Sequence, residues 1–324
     1  ATLGMISGLI VFWNGIKTGV FGQHGLPPNR ELINTPVLGL KLKIVIPVLA
    51  FLFVPLVAYA IFVGDINMAG IYEGTLVSFV FKLILVAVLG YITYIFYKVS
   101  SVERARLVTI FFLTMLMSLF WAFYELSGSL ITLFADRNIN LILFTASGTN
   151  SITAIYVVIL ALPFSLMWVW LTRKKINPFT PYKFALGLAF IGLGFYIFSM
   201  SSAFADNQGM VPFVFMALGY LWFVVGELLM SPVGLSKITE LSPKEFVGFF
   251  MGVWFLASSF AFDIGGFIGR QLAISAPSGK EIGGFDSLYI YTDGFEQIAY
   301  VAFIGSLVAL IFAPFVKKWM HGIH

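Results

Sequence analysis

The stretch FWAFYELSGSLITLFADRN, Phe120 to Asn138, is apolar for most of its length yet carries Glu125 near its middle. An ionised carboxylate at the centre of a membrane helix costs roughly 2.5–3.5 kcal/mol, so it needs a partner, a proton or a water-filled cavity. The membrane reading itself comes from the whole chain. It is 60% hydrophobic and 10% charged, whereas an ordinary soluble domain has about 25% charged residues. Apolar runs of the length that crosses a bilayer as helix occur near 44–63, 76–97, 107–135, 151–171, 184–204, 211–235, 247–268 and 296–316. A shorter run at residues 2 to 13 opens the chain. It has neither an initiator methionine nor the basic flank and cleavage site of a signal peptide, so the sequence is expected to begin inside a helix.

The charged residues fall unevenly on alternate sides of these spans. Lys17, Arg30, Lys41, Lys43, Lys98, Arg104, Arg106, Arg173, Lys174, Lys175, Lys183, Lys237, Lys244, Lys317 and Lys318 share one side, and Arg137, Arg270 and Lys280 take the other. The positive-inside rule makes the first side cytoplasmic and places the carboxyl terminus there. The basic residues are spread along membrane edges rather than gathered on one face, so the net charge of +4 is no nucleic-acid footprint. Pro27 and Pro28 disfavour helix in the basic connector 18–43. The Gly-rich segment 274–295 reads as the longest exterior connection, with room for a small hairpin.

Four ionisable residues remain inside spans. Lys82 and Asp263 lie within roughly 10 Å of span ends and can snorkel to water. Glu125 and Glu227 are deeper. Trp121, Gly128 and Ser129 stand at helical spacing from Glu125 and make a polar, aromatic face that suits a cavity better than lipid. Around Glu227 the sequence reads GELLMSPVGLSKITELSP, Gly226 to Pro243. Pro232 lacks an amide hydrogen and leaves the Leu228 carbonyl without its helical donor, so a helix break is expected there. Ser231 lies one turn from Glu227 on the same face. A carboxylate, a hydroxyl and a loosened carbonyl together suit an ammonium group.

Enzyme chemistry finds little footing. Cysteine is absent, and the three histidines, His24, His321 and His324, fall in connecting or terminal segments, so no catalytic pair or metal site is expected inside the membrane. Gly187, Gly192 and Gly194 in GLAFIGLGF read as close helix contacts rather than a ligand cradle.

FWAFYELSGSLITLFADRN, GELLMSPVGLSKITELSP and MGVWFL (Met251 to Leu256) resemble, in that order, the seventh, tenth and eleventh helices of the proton-dependent oligopeptide transporter family of the major facilitator superfamily. The resemblance implies an all-α integral membrane fold. Residues 1–17 would end a truncated sixth helix, 18–43 would be a cytoplasmic connector and 44–100 a two-helix linker hairpin. Residues 101–324 would be the carboxyl-terminal six-helix bundle, helices seven to twelve. It further implies proton-coupled symport of di- and tripeptides across the inner (plasma) membrane, with protons as the coupling ion and no other cofactor. Glu125 would take part in proton coupling. Glu227 and Ser231 would hold the peptide's amino end, and Trp121 and Trp254 would line the cavity with Ser129. Thr153 stands where the family's eighth helix has asparagine, with Asn150 one turn earlier as a substitute, and Leu126 replaces the usual glutamine after Glu125. The family's first six helices have no counterpart here, so the missing amino-terminal half is an expected partner alongside the peptide and the bilayer. A related transporter of another solute, such as nitrate, a modified peptide or an amine, and an inert or sensory membrane fragment remain the alternatives.

Overall fold

A computed structural model describes residues 2–20, 22, 36–37, 40–41, 76–141, 144–272 and 284–323. The expected span 44–63, the turn after it, the proline pair of the connector and the side chain of Lys82 lie outside these residues. The chain divides into two compact units, 1–93 and 94–324.

In the first unit, helix α1 (Thr2–Lys17) is 16 residues long, about 24 Å at 1.5 Å per residue. Gly19 and Gly22 take positive φ just beyond it, where a left-handed residue ends a helix most cheaply. Pro36–Val37 (β1) and Leu40–Lys41 (β2) form a short antiparallel ladder, Pro36 opposite Lys41. Helix α2 (Leu76–Lys98) runs across the boundary between the units.

The second unit is a helical bundle. Helix α3 (Ser101–Tyr124) starts at a capping box: the Glu103 amide donates to the Ser100 hydroxyl and the Ser100 amide to the Glu103 carboxylate. Two otherwise orphaned amides are thereby satisfied. A 3-10 turn (Glu125–Gly128) and helix α4 (Leu130–Asn138) follow. A second 3-10 turn (Ser147–Asn150) leads into α5 (Ser151–Arg173). Then come α6 (Thr180–Met200), α7 (Val214–Leu241), α8 (Val247–Leu272) and α9 (Gly284–Trp319). Six segments are long and apolar enough to cross a membrane among the described residues: 101–138, 147–173, 180–204, 214–241, 247–271 and 284–319.

Three features differ from the sequence reading. The span expected as one helix over 107–135 is interrupted at Glu125. Ser127, Gly128 and Ser129 are consecutive weak helix formers, and the Ser127 carbonyl accepts instead from the Thr132 hydroxyl at 2.8 Å. The break expected at Pro232 is absent, since α7 continues through it for 28 residues. Proline removes one hydrogen bond of the ladder, and the packing of α7 along α3, α5, α6 and α8 on both sides of it holds the helix together. The exterior connection expected over 274–295 is helical from Gly284 on, because α9 is 36 residues long, about 54 Å. The remainder of that connection, where a hairpin was expected, lies outside the described residues.

Helix α6 packs most extensively, against α9 and α7, and glycine sets how closely. A Cβ on Gly194 would stand 2.8 Å from the Gly219 carbonyl, and one on Gly187 would meet Met230 and the Gly226 carbonyl. Such small-residue contacts replace the hydrophobic driving force that lipid cannot supply. Beneath them lies an aromatic core: Phe195 is 4.8 Å from Phe223, and Phe134 is 5.2 Å from Phe295 in edge-on contact. At the end of the bundle reached by α4, buried Asn138 donates to the carbonyls of Gly209 (3.1 Å) and Gly284 (2.7 Å) and accepts from Ser287 (2.9 Å). One amide therefore ties the α6–α7 connection and the start of α9 to α4.

Helix α5 is the exception. It packs chiefly on α7, and 6% of its apolar window is buried against 56% for Ser101–Asn138. Ile155, Val158, Leu162, Leu166 and Val169 are exposed along it.

Candidate functional site

The interruption after α3 puts four helices around one polar cluster. Tyr124, the last residue of α3, packs against α7 with its ring 5.9 Å from that of Phe223, which brings its hydroxyl into the neighbourhood of Glu227 on α7 and Thr153 on α5. Thr153 donates to the Asn150 carbonyl at 2.8 Å. The Asn150 side chain uses both ends: Nδ2 donates to the Thr132 hydroxyl at 3.1 Å, and Oδ1 accepts from the hydroxyl of buried Tyr220 at 3.2 Å. Thr132 in turn reaches the Ser127 carbonyl. The network joins the broken α3–α4 span, the 3-10 entry to α5, and α7, so the cluster is positioned by side chains where the backbone ladder stops.

Two polar atoms within it stand apart. Glu227 Oε2 and Ser231 Oγ are buried and have no hydrogen-bond partner. They sit one helical turn apart on one face of α7. Buried polar atoms are paired in the great majority of cases, so Glu227 Oε2 and Ser231 Oγ on adjoining turns are the atoms of this cluster best able to accept from a ligand.

The other expected residues are distributed around this cluster. Glu125 is exposed, at the first position of the 3-10 turn. Gly265 of α8 makes room beside it: a Cβ there would meet the Ala122 carbonyl at 2.6 Å and Glu125 Cβ at 3.4 Å. Trp121 is half-buried, its ring 5.1 Å from that of Tyr124, so it flanks the cluster. Ser129 is exposed at the end of the turn. Trp254 is 5% exposed and lies against Gly234, where a Cβ would stand 2.5 Å from its Cη2 atom. It packs α8 onto α7 and does not join the polar cluster. Asp263 is exposed.

Sequence reasoning missed Tyr124, Thr132 and Tyr220. Tyr220 precedes Glu227 by seven residues, two turns on the same face, a spacing that could have revealed it. Tyr124 becomes a neighbour of Glu227 only through the packing of α3 on α7.

A bundle of six apolar spans around a mid-helix polar cluster is the architecture of an integral membrane protein. The comparisons narrow this. The chain belongs to the POT family (PTR2), whose profile matches residues 1–283. It is 27% identical over 335 aligned positions to the uncharacterized transporter YclF of Bacillus subtilis (strain 168), an alignment covering 100% of this chain and 61% of YclF. It is 29% identical over 230 residues to dipeptide and tripeptide permease B of Aeromonas hydrophila, covering 69% of this chain and 45% of the permease. The crystal structure of a peptide transporter POT in complex with sulfate superposes with a TM-score of 0.68 at 29% identity, over 99% of this chain and 61% of that one. The chain thus spans between 45% and 61% of the length of these relatives.

Proposed function

We propose that the chain forms the carboxyl-terminal part of a proton-coupled symporter of di- and tripeptides, with residues 101–324 as one wall of the central site. The observation that carries this reading is the buried, unpaired pair Glu227 Oε2 and Ser231 Oγ. A peptide's terminal ammonium has three donors and no acceptor. Glu227 supplies the charge and Ser231 a second acceptor. Tyr124 stands beside the carboxylate, and Asn150, fixed by Tyr220 and Thr132, keeps one amide hydrogen for the peptide backbone. The family relationship and the names of the peptide permease and peptide transporter relatives support the substrate class.

Glu125 stands on an exposed face beside the turn that interrupts the span. An arginine of an amino-terminal half would pair with it there, and protonation would release that pair and permit the rocking that alternating access requires. The charge distribution orients the assembly in the plasma membrane with its carboxyl terminus in the cytoplasm. With the complementary half present, Glu125→Gln abolishes uptake driven by a proton gradient and preserves exchange of bound peptide. Undiminished uphill uptake by the variant refutes the role given to Glu125. The unpaired acceptors recognise an ammonium rather than a peptide bond, so a small amine is the second reading. Competition of dipeptide uptake by simple amines, at the same affinity as by dipeptides, would favour it.

A further inference from the structure

Away from the polar cluster, a cavity of about 770 Å³ opens between α5, the segment 175–180 and the adjoining parts of α6 and α7. None of Tyr124, Asn150, Glu227 or Ser231 lines it. Its walls are divided by chemistry. At one end stand Lys175, Lys183 and Lys237 with the hydroxyls of Thr172 and Ser236, and no carboxylate lines it among the described residues. Lys183 is 7% exposed, its Nζ 4.0 Å over the Trp168 ring. Lys237 is 8% exposed and bonded to Glu240 at 2.5 Å, and Ser236 holds the other oxygen of Glu240 at 2.8 Å. Lys175, Lys183 and Lys237 thus bring three ammonium groups to one end of the cavity.

The other end is mostly apolar, with Ser165 its hydroxyl. Along α5 the lining passes from Thr172 through Trp168 to Phe164 and Ala161, a run of about 16 Å at 1.5 Å per residue. Leu228 and Val233 of α7 face it. Beside this stripe, Leu162, Leu166 and Val169 are exposed, so the apolar end adjoins an exposed apolar surface. The cationic end belongs to the side of the bundle where Arg173, Lys174, Lys317 and Lys318 gather. Cations at the interface and hydrocarbon inward is the polarity of a phospholipid seated in its own leaflet, and basic pockets between membrane helices take anionic headgroups. A soluble phosphate would use the lysines and leave the apolar half unexplained.

We propose that this cavity binds an anionic phospholipid, its phosphate among Lys175, Lys183 and Lys237 and an acyl chain along Phe164, Leu228 and Val233. The test is native mass spectrometry of the purified full chain from mixed micelles holding equal phosphatidylglycerol and phosphatidylcholine. Phosphatidylglycerol adducts should dominate. Each lysine near an anionic surface contributes about 1 kcal/mol, so Lys175→Gln and Lys183→Gln should each reduce phosphatidylglycerol retention about fivefold. Ala161→Trp, which fills the apolar end without altering charge, should remove the preference. Lys175 and Ala161 are exposed, so those two variants decide the matter even if Lys183→Gln fails to fold. Equal retention of the two lipids, or a preference untouched by Lys175→Gln and Ala161→Trp, overturns the proposal. Complete displacement of phosphatidylglycerol by excess inorganic phosphate also overturns it and assigns the site to free phosphate.

Discussion

Replacing Gly226 by alanine puts the contact between α6 and α7, and with it the placement of Glu227, to a direct test. A Cβ at position 226 would stand 2.8 Å from the Gly187 carbonyl oxygen, 3.0 Å from Phe120 Cε2 and 3.5 Å from the Ile191 amide nitrogen. The first of these is backbone and cannot rotate away. Carbon to carbonyl contacts across helices settle near 3.3–3.6 Å, so α7 must withdraw from α6 by roughly half an ångström or more. Forcing a methyl into a close-packed contact costs about 1–3 kcal/mol, partly offset by the roughly 1 kcal/mol by which alanine exceeds glycine in a helix. Gly252 of α8, where a Cβ would meet nothing within 4 Å, supplies the propensity term alone. The difference between Gly226→Ala and Gly252→Ala is therefore about 1–3 kcal/mol. At roughly 2–4 °C per kcal/mol for a bundle of this size, their melting temperatures in detergent should differ by about 2–12 °C, with Gly226→Ala lower. Equal melting temperatures would refute the argument that this backbone contact fixes α7.

Asn138→Ala removes three hydrogen bonds at the end of the bundle reached by α4 and leaves the Gly209 carbonyl without its donor, and should cost about 2–4 kcal/mol in thermal unfolding. A loss below about 1 kcal/mol would mean that the tie is not structural. In the polar cluster, Asn150→Ala should cost about 1–3 kcal/mol and Tyr220→Phe about half of that. Their combination should be no worse than Asn150→Ala alone, because both remove the same bond, and full additivity would show that Tyr220 and Asn150 act separately.

Hydropathy reported six of the expected spans because length and apolarity are what a bilayer demands of a helix. It could not report continuity. The turn at Glu125–Gly128 is set by where Thr132 and Ser127 find partners, and the persistence of α7 through Pro232 by the helices packed on either side. Both depend on neighbours distant in sequence. The start of α9 was hidden by Gly283, Gly284 and two acids, Asp286 and Asp293, which read as loop until Asn138 and Ser287 are seen to anchor the start of the helix. At the site, Glu227 and Ser231 were legible from a single helical face and Asn150 from its spacing to Thr153. Tyr124 was not, since its role arises where α3 meets α7. Trp254 was assigned to the cavity on resemblance, and its burial against Gly234 is a matter of how closely α8 approaches α7.

The most direct test of the proposed function is pH-dependent dipeptide uptake into proteoliposomes by the 324-residue chain alone and by the same chain fused to the amino-terminal half that the proposal calls for. The account predicts accumulation under an inward proton gradient by the fusion and none by the chain alone, since one wall of the site cannot alternate. Failure of the fusion to accumulate any dipeptide, or equal accumulation by the chain alone, would contradict it.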